Sequence, residues 1–177
     1  MPQWIATDPA GLNRQSFEHA AKTAIAAAIA VLVSRLLRLP EAYWAAVTTM
    51  VVMQSTLGAS LSVSVLRLIG TAMGALSGAF LSLYFGPNVY IFAAGVFILG
   101  LVTAAAHLDR SAFRFAGITL AIVMLVVRIN SPWIVAAHRF AEISIGIVVG
   151  LLVVLFWPER PAAPATSAVA SGGSMLK

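Results

Sequence analysis

The sequence predicts an all-α integral membrane protein with six transmembrane helices. Hydrophobic residues make up 60% of the 177 residues and charged residues only 10%, whereas a soluble domain carries about 25% charged residues. So few polar groups cannot cover the surface of a water-soluble protein. The sequence also lacks the ten-residue blocks of alternating apolar and polar residues that are typical of outer-membrane barrels.

The apolar residues fall into six segments with short connections. A helix needs roughly 20 apolar residues to cross the hydrocarbon core, and residues 17–157 have room for six such helices. Residues 1–16 are expected in the cytoplasm or at the interface, and residues 158–177, rich in Pro, Ala, Ser and Gly, are expected to form a disordered tail. The break between the second and third spans is predicted at residues 62–64. The predicted spans are 20–37, 43–61, 65–85, 89–108, 113–129 and 134–157.

Basic residues predict the orientation of these spans. If the N-terminus lies inside, seven of the 11 basic residues fall on the cytoplasmic side and four on the other, and cytoplasmic loops carry the excess of Lys and Arg. Both termini are therefore expected in the cytoplasm, with the spans in the inner membrane. The cytoplasmic set is Arg14, Lys22, Arg67, Arg110, Arg114, Arg160 and Lys177, and the opposite set is Arg35, Arg38, Arg128 and Arg139.

The third predicted span carries an arginine and a stripe of small residues on one helical face. The stripe consists of Arg67, Gly70, Thr71, Gly74 and Gly78, at offsets 0, 3, 4, 7 and 11, which share one face at 100° per residue. Small residues let membrane helices approach closely, so helix packing is the expected role of all but the arginine. Arg67 either reaches the interface and fixes the depth of the helix or binds an anion.

The sixth predicted span repeats this pattern. Arg139, Glu142, Gly146 and Gly150 lie at offsets 0, 3, 7 and 11, and the two glycines are again expected to pack against another helix. A unit of three spans must enter the membrane from the opposite face when it is repeated. The two matching helices therefore predict a 3+3 inverted repeat.

Glu142 is the one acidic residue expected inside a span. An ionisable group at membrane depth normally faces a partner or a wet cavity, and Arg139 lies within reach at i−3. Two interpretations stay open, a structural ion pair and a proton-responsive gate that involves Glu142 and His138. In the second predicted span, Gln54 and Thr56 either form hydrogen bonds between helices or line a path for a polar substrate.

Four segments together resemble the fusaric acid resistance, or aromatic acid exporter, superfamily. They are Y-W-A-A-V-T (43–48), Q-S-T-L-G-A-S (54–60), R-L-I-G-T-A-M-G (67–74) and H-R-F-A-E-I-S-I-G (138–146). The resemblance implies a six-helix membrane unit that exports aromatic or other organic carboxylates, with anion channels among plant relatives. Members often have Pro after the glutamine of the second segment, where this chain has Ser55, so a helix break is not expected there. Many members are also longer.

The predicted function is therefore export of organic carboxylates, and the gate interpretation of Glu142 adds coupling to protons. Arg67 and Arg139 would bind the carboxylate, because a guanidinium holds it through two hydrogen bonds and stays charged. Gln54 and Thr56 would line the path of the substrate, and Glu142 would compete with the substrate for Arg139. A homodimer is expected, since one six-helix unit with two exposed glycine stripes resembles half of a longer family member.

Other classes of function are weighed against this one. The chain has no cysteine, its three histidines are far apart and it lacks H-E-x-x-H, so neither a catalytic centre nor a metal or cofactor site is predicted. No basic block with interleaved aromatic residues occurs, which argues against nucleic acid. An anion channel and a non-transporting membrane scaffold stay open, because glycine stripes and short loops suit assembly equally well.

Overall fold

The computed structural model describes residues 14–54, 56–126 and 131–157, and these ranges contain helices and no strands. The predicted class, an all-α membrane protein, is confirmed. Among these residues, three helices are long and apolar enough to cross a membrane, from Phe17, Leu57 and Pro132 onwards, and the helices Tyr43–Val52 and Val89–Ala105 are shorter apolar ones. The six helices are α1 (Arg14–Leu36), α2 (Tyr43–Val52), α3 (Leu57–Phe85), α4 (Val89–Ala105), α5 (Arg110–Leu125) and α6 (Pro132–Phe156). The predicted tail lies outside the described residues.

The second and third helices differ from their predicted bounds. The sequence predicts one span over 43–61 and a break at 62–64, but α2 ends at Val52 and α3 begins at Leu57. Residues 62–64 lie inside α3, a helix of 29 residues. Serine hydroxyls do not stop a helix when its backbone hydrogen bonds are intact, so the predicted break was wrong.

Polar side chains stabilise the break where it does occur. The hydroxyl of Thr56 caps α3 by accepting a hydrogen bond of 3.3 Å from the backbone N–H of Ala59. The side-chain amide of Gln54 donates to the carbonyl oxygen of Val51 at 3.0 Å, and its backbone N–H donates to Ser60 Oγ at 3.2 Å. These contacts satisfy backbone groups that a helix end leaves without partners, so the break forms without the proline of the family pattern.

The contacts between helices follow the symmetry that an inverted repeat requires. When α1, α2 and α3 are exchanged for α4, α5 and α6, every pair of touching helices becomes another touching pair. The α3–α6 contact maps onto itself, and it is antiparallel because residues 75–79 pack beside 135–136 while residue 68 packs beside 143–147. The matched contacts are α1–α2 with α4–α5, α1–α6 with α3–α4, α2–α6 with α3–α5, and α2–α3 with α5–α6.

The glycine stripes make the closest of these contacts. A Cβ atom on Gly74 would clash with the carbonyl oxygen of Ala116 in α5, and one on Gly146 would clash with that of Ala45 in α2. Both stripes are therefore buried inside the chain and do not face a second copy, so the prediction that they are exposed was wrong. The facing helices also match in sequence, as aromatic-Ala-x-x-Thr-x-x-x-Val at 44–52 and at 115–123. The matched residues are Trp44 with Phe115, Ala45 with Ala116, Thr48 with Thr119 and Val52 with Val123.

Candidate functional site

Arg139 lies at the centre of a buried ion-pair network. Its side chain is 1% exposed, and its Nη1 atom lies 3.2 Å from Oε2 of Glu142, one turn further along α6. It also pairs with Glu41, in the turn before α2. The ring of Trp44 covers the guanidinium, with 4.8 Å between Cζ and the ring centroid. Arg139 is thus shared between two carboxylates and an aromatic ring.

Glu41 was missed by the sequence prediction, which placed it in a connection. Its Oε2 atom accepts hydrogen bonds from Tyr43 Oη at 2.8 Å and from Trp44 Nε1 at 3.1 Å. Its backbone N–H donates to Oε1 of Glu142 at 2.9 Å. Both carboxylates therefore lie at the N-terminus of α2, where the helix dipole stabilises negative charge. The sequence did contain a signal for this role, because Glu41 comes shortly before the aromatic pair Tyr43-Trp44 at the start of α2.

Arg67, the matching arginine of α3, is buried in different surroundings. Its Nε and Nη2 atoms donate to Thr48 Oγ1 at 3.2 and 3.1 Å, and Cζ lies 4.8 Å from the ring centroid of Phe115. Within the described part of the chain, its guanidinium pairs with no carboxylate. Arg67 is thus a buried cation whose polar partner is a neutral hydroxyl.

The internal repeat makes this difference between the arginines explicit. Arg67 and Arg139 occupy the same offset before their glycine stripes, and each guanidinium lies 4.8 Å from a matched aromatic ring. Three residues later, α3 has Gly70 where α6 has Glu142. The Cβ of a larger residue at position 70 would meet the backbone of α5. The repeat therefore neutralises one arginine with an internal acid and leaves the other without one.

A small cavity adjoins Arg67 between the two halves of the repeat. Its volume of about 10 Å³ leaves room for about one water molecule. Its wall combines a cation, two aromatic faces and two threonines, which are the groups that suit a carboxylate attached to an aromatic ring. The cavity is closed to a molecule of that size in this conformation. The lining residues are Trp44, Arg67, Thr71, Phe115, Ile118, Thr119, Ile122 and Ile143.

The remaining predicted site residues lie elsewhere. Gln54 is half-buried and Thr56 is exposed, both at the end of α2 that is remote from Glu41, and neither forms the wall of the Arg67 cavity. His138 is half-buried on α6, and the groups that the structure places on Arg139 are two carboxylates and Trp44. A path lined by Gln54 and Thr56, and a gate that uses His138, stay predictions.

Comparison with known proteins agrees with the resemblance found in the sequence. The sequence model of the fusaric acid resistance protein family matches residues 16–172. The chain is 28% identical over 152 residues to the uncharacterized transporter YdhK of Salmonella typhimurium, covering 81% of this chain and 22% of that protein. It is 29% identical over 158 residues to YdhK of Escherichia coli K12, covering 84% and 24%. The chain thus spans about a quarter of the length of these relatives. No solved structure matches it.

Proposed function

Because the chain belongs to the fusaric acid resistance protein family, we propose that it moves organic carboxylates across the inner membrane and that Arg67 binds the carboxylate group. The family and the transporters named among its relatives support the coarser statement, a membrane transporter. The substrate class, the outward direction and coupling to protons are parts of the proposal.

The observation that carries the proposal is the buried charge of Arg67. An arginine at the centre of a membrane helix costs about 2.5–3.5 kcal/mol on insertion scales, and such residues normally mark a pathway or a partner. The hydroxyl of Thr48 accepts hydrogen bonds from two N–H groups of Arg67, but it supplies no negative charge. An anion would supply that charge and use the planar fork of the guanidinium through two hydrogen bonds.

The surroundings of Arg67 favour an aromatic or apolar carboxylate over a small inorganic anion. Trp44 and Phe115 contribute aromatic rings to the cavity wall, and three of the other six lining residues are isoleucines. A ring attached to the carboxylate would gain apolar and stacking contacts there. A chloride ion would gain only the electrostatic attraction to Arg67, so the site is proposed to select carboxylates that carry an aromatic ring.

Arg139 and Glu142 have a different proposed role from Arg67. To bind substrate, Arg139 must exchange a carboxylate of Glu41 or Glu142 for that of the substrate. Protonation of Glu142 would weaken its hold on Arg139 and so favour such an exchange. This link between proton and substrate is the proposed basis of proton coupling.

The test is flux of a labelled aromatic carboxylate, such as benzoate, in liposomes that contain the purified protein. Arg67→Gln should reduce the initial rate at least tenfold, and Arg67→Lys should restore part of it, because lysine keeps the charge but not the fork. Arg114→Gln is the matched control, since Arg114 is exposed on α5. Equal flux through folded wild-type protein and Arg67→Gln would refute the assignment. No flux of any carboxylate through the wild type would refute the function.

A further inference from the structure

The six helices form two bodies of three helices. Each body contains the first two helices of one repeat and the third helix of the other repeat. In the first body, α1, α2 and α6 all touch one another, and in the second body α3, α4 and α5 do the same. Between the bodies, α3 and α6 pack over an interface at least as extensive as that of α2 with α6, while α2–α3 and α5–α6 touch only slightly; the division into bodies therefore rests on the kind of contact and not on its extent. The third helix of each repeat thus belongs to the body built mainly from the other repeat.

Polar contacts tie the first body together along its length. At one end, Lys22 Nζ on α1 donates to the carbonyl oxygen of Trp157 at the end of α6, at 2.7 Å. In the middle, Thr49 Oγ1 on α2 donates to the carbonyl oxygen of Gly146 on α6 at 3.0 Å. At the other end, the Arg139 ion-pair network joins α6 to the start of α2. Relative movement of these three helices would break buried hydrogen bonds, which is costly.

Backbone contact ties the second body together. A Cβ on Gly70 or Gly74 would clash with carbonyl oxygens of α5, and one on Gly78 would lie 3.0 Å from Val123 Cβ. On the other side, α4 packs through Leu99 onto buried residues of α5. Helices at such short separation interlock like a protein core and do not slide independently.

The interface between the bodies is apolar apart from one contact. Where α3 crosses α6, one buried cluster holds Ala75, Ala79, Val135 and Ala136, with Val123 of α5 beside them. A second packs Leu68 of α3 against Ile143 and Ile147 of α6. Among the described residues, and outside the connection from α2 to α3, the side-chain hydrogen bonds from one body to the other are those of Arg67 with Thr48. An apolar interface can shift without leaving buried polar groups unpaired, whereas movement inside the first body would break its buried hydrogen bonds.

We propose that the two bodies move relative to each other as rigid units and that the contact between Arg67 and Thr48 holds them in the closed arrangement. The inference deepens the proposed function, because the anion site at Arg67 then lies between the moving parts. Trp44 and Ile143 enter the cavity from the first body, and its other wall residues belong to the second. A carboxylate on Arg67 replaces the Thr48 hydroxyl as acceptor, so binding and separation of the bodies favour each other.

Cross-linking tests this movement through activity. The chain has no cysteine of its own, so introduced thiols are the only ones present. Ala79→Cys with Val135→Cys bridges the two bodies at a buried cluster, and Ala30→Cys with Val149→Cys bridges two helices of the first body. Oxidation of the first pair should reduce benzoate flux at least tenfold, and reductant should restore it. Oxidation of the second pair should leave the flux unchanged. Full flux through the oxidised first pair would overturn the inference.

Distance measurement tests the movement without any transport activity. Spin labels at the exposed positions Ile25 and Phe97 report on the separation of the bodies. Pairs at Ile25 with Ile134 and at Phe97 with Val65 report on the first and second body alone, and both should keep one distance. In Thr48→Val the separation between the bodies should show a second distance, whose population rises at least tenfold because valine removes the acceptor of both hydrogen bonds from Arg67. Thr48→Ser keeps the hydroxyl and should not show it.

The two experiments separate failure of the inference from failure of the proposed function. A single unchanged distance between the bodies in Thr48→Val, in benzoate and across pH would overturn the two-body movement whether or not the protein transports benzoate. A second distance in Thr48→Val, together with no flux of any carboxylate through the wild type, would uphold the movement and refute the carboxylate substrate.

Discussion

Gly146 offers the sharpest test of how α2 and α6 pack, because the contact there leaves no room for a methyl group. In Gly146→Ala the new Cβ would lie 2.7 Å from Thr48 Cβ, where ordinary contact begins at 3.4 Å, a shortfall of 3.4 − 2.7 = 0.7 Å. Overpacking of this kind costs about 1–3 kcal/mol, and the helical preference of alanine over glycine returns about 1 kcal/mol. The carbonyl oxygen of Ala45 is also in the way, so the helices must separate.

Gly117→Ala is the matched control, since Gly117 lies in α5 and a Cβ there would meet nothing within 4 Å. Both variants gain the same helical preference, so the difference between them isolates the clash. It should amount to about 1–3 kcal/mol, or roughly 2–12 °C in Tm at 2–4 °C per kcal/mol, with Gly146→Ala the less stable. Thermal unfolding in mild detergent, followed by tryptophan fluorescence, measures it. A Gly146→Ala protein as stable as Gly117→Ala would refute the packing argument.

Three further predictions concern topology, protons and assembly. Single cysteines at Asn88 and Ser111 should react with impermeant reagent from opposite sides of the membrane; reaction from one side contradicts six spans. Glu142→Gln keeps an acceptor for the backbone N–H of Glu41 but removes a charge beside Arg139, so it should flatten the pH dependence of flux more than it lowers the maximal rate; an unchanged pH profile contradicts the coupling. A homodimer stays a prediction from the resemblance to half of a longer family member alone, since the glycine stripes pack inside the chain; native mass measurement that finds only a monomer would contradict it.

The sequence predicted most helices well because their boundaries depend on local signals. Hydrophobic segments, prolines and the Gly86-Pro87-Asn88 turn defined α4 and α6 and the end of α3 within a few residues. The break after α2 escaped because it depends on contacts between side chains and backbone, such as Gln54 with Val51, which no periodicity records. Three of the four residues 53–56 are polar, but the prediction kept them inside the second span as groups that bond to other helices or line a path.

The pairing of site residues was predictable only in part. The spacing of Arg139 and Glu142 on one helix predicted their proximity, because residues three apart share a face. The arrival of Glu41 from 98 positions away depends on how α2 packs on α6, and one sequence does not contain that register in readable form. The matched segments at 44–52 and 115–123 did carry a signal of this packing, because they occupy the same place in the two repeats. Their matched aromatic residues explain why each arginine stacks on a ring.

Binding of an aromatic carboxylate to purified protein tests the central claim most directly. Trp44 lines the cavity beside Arg67, so its fluorescence should report occupancy, and Trp44→Phe identifies its share of the signal. The account predicts a saturable response to benzoate, little response to the uncharged benzamide, and loss of the benzoate response in Arg67→Gln at a wild-type Tm. A benzoate response of wild-type affinity in folded Arg67→Gln, or equal responses to benzoate and benzamide in the wild type, would contradict a carboxylate site at Arg67.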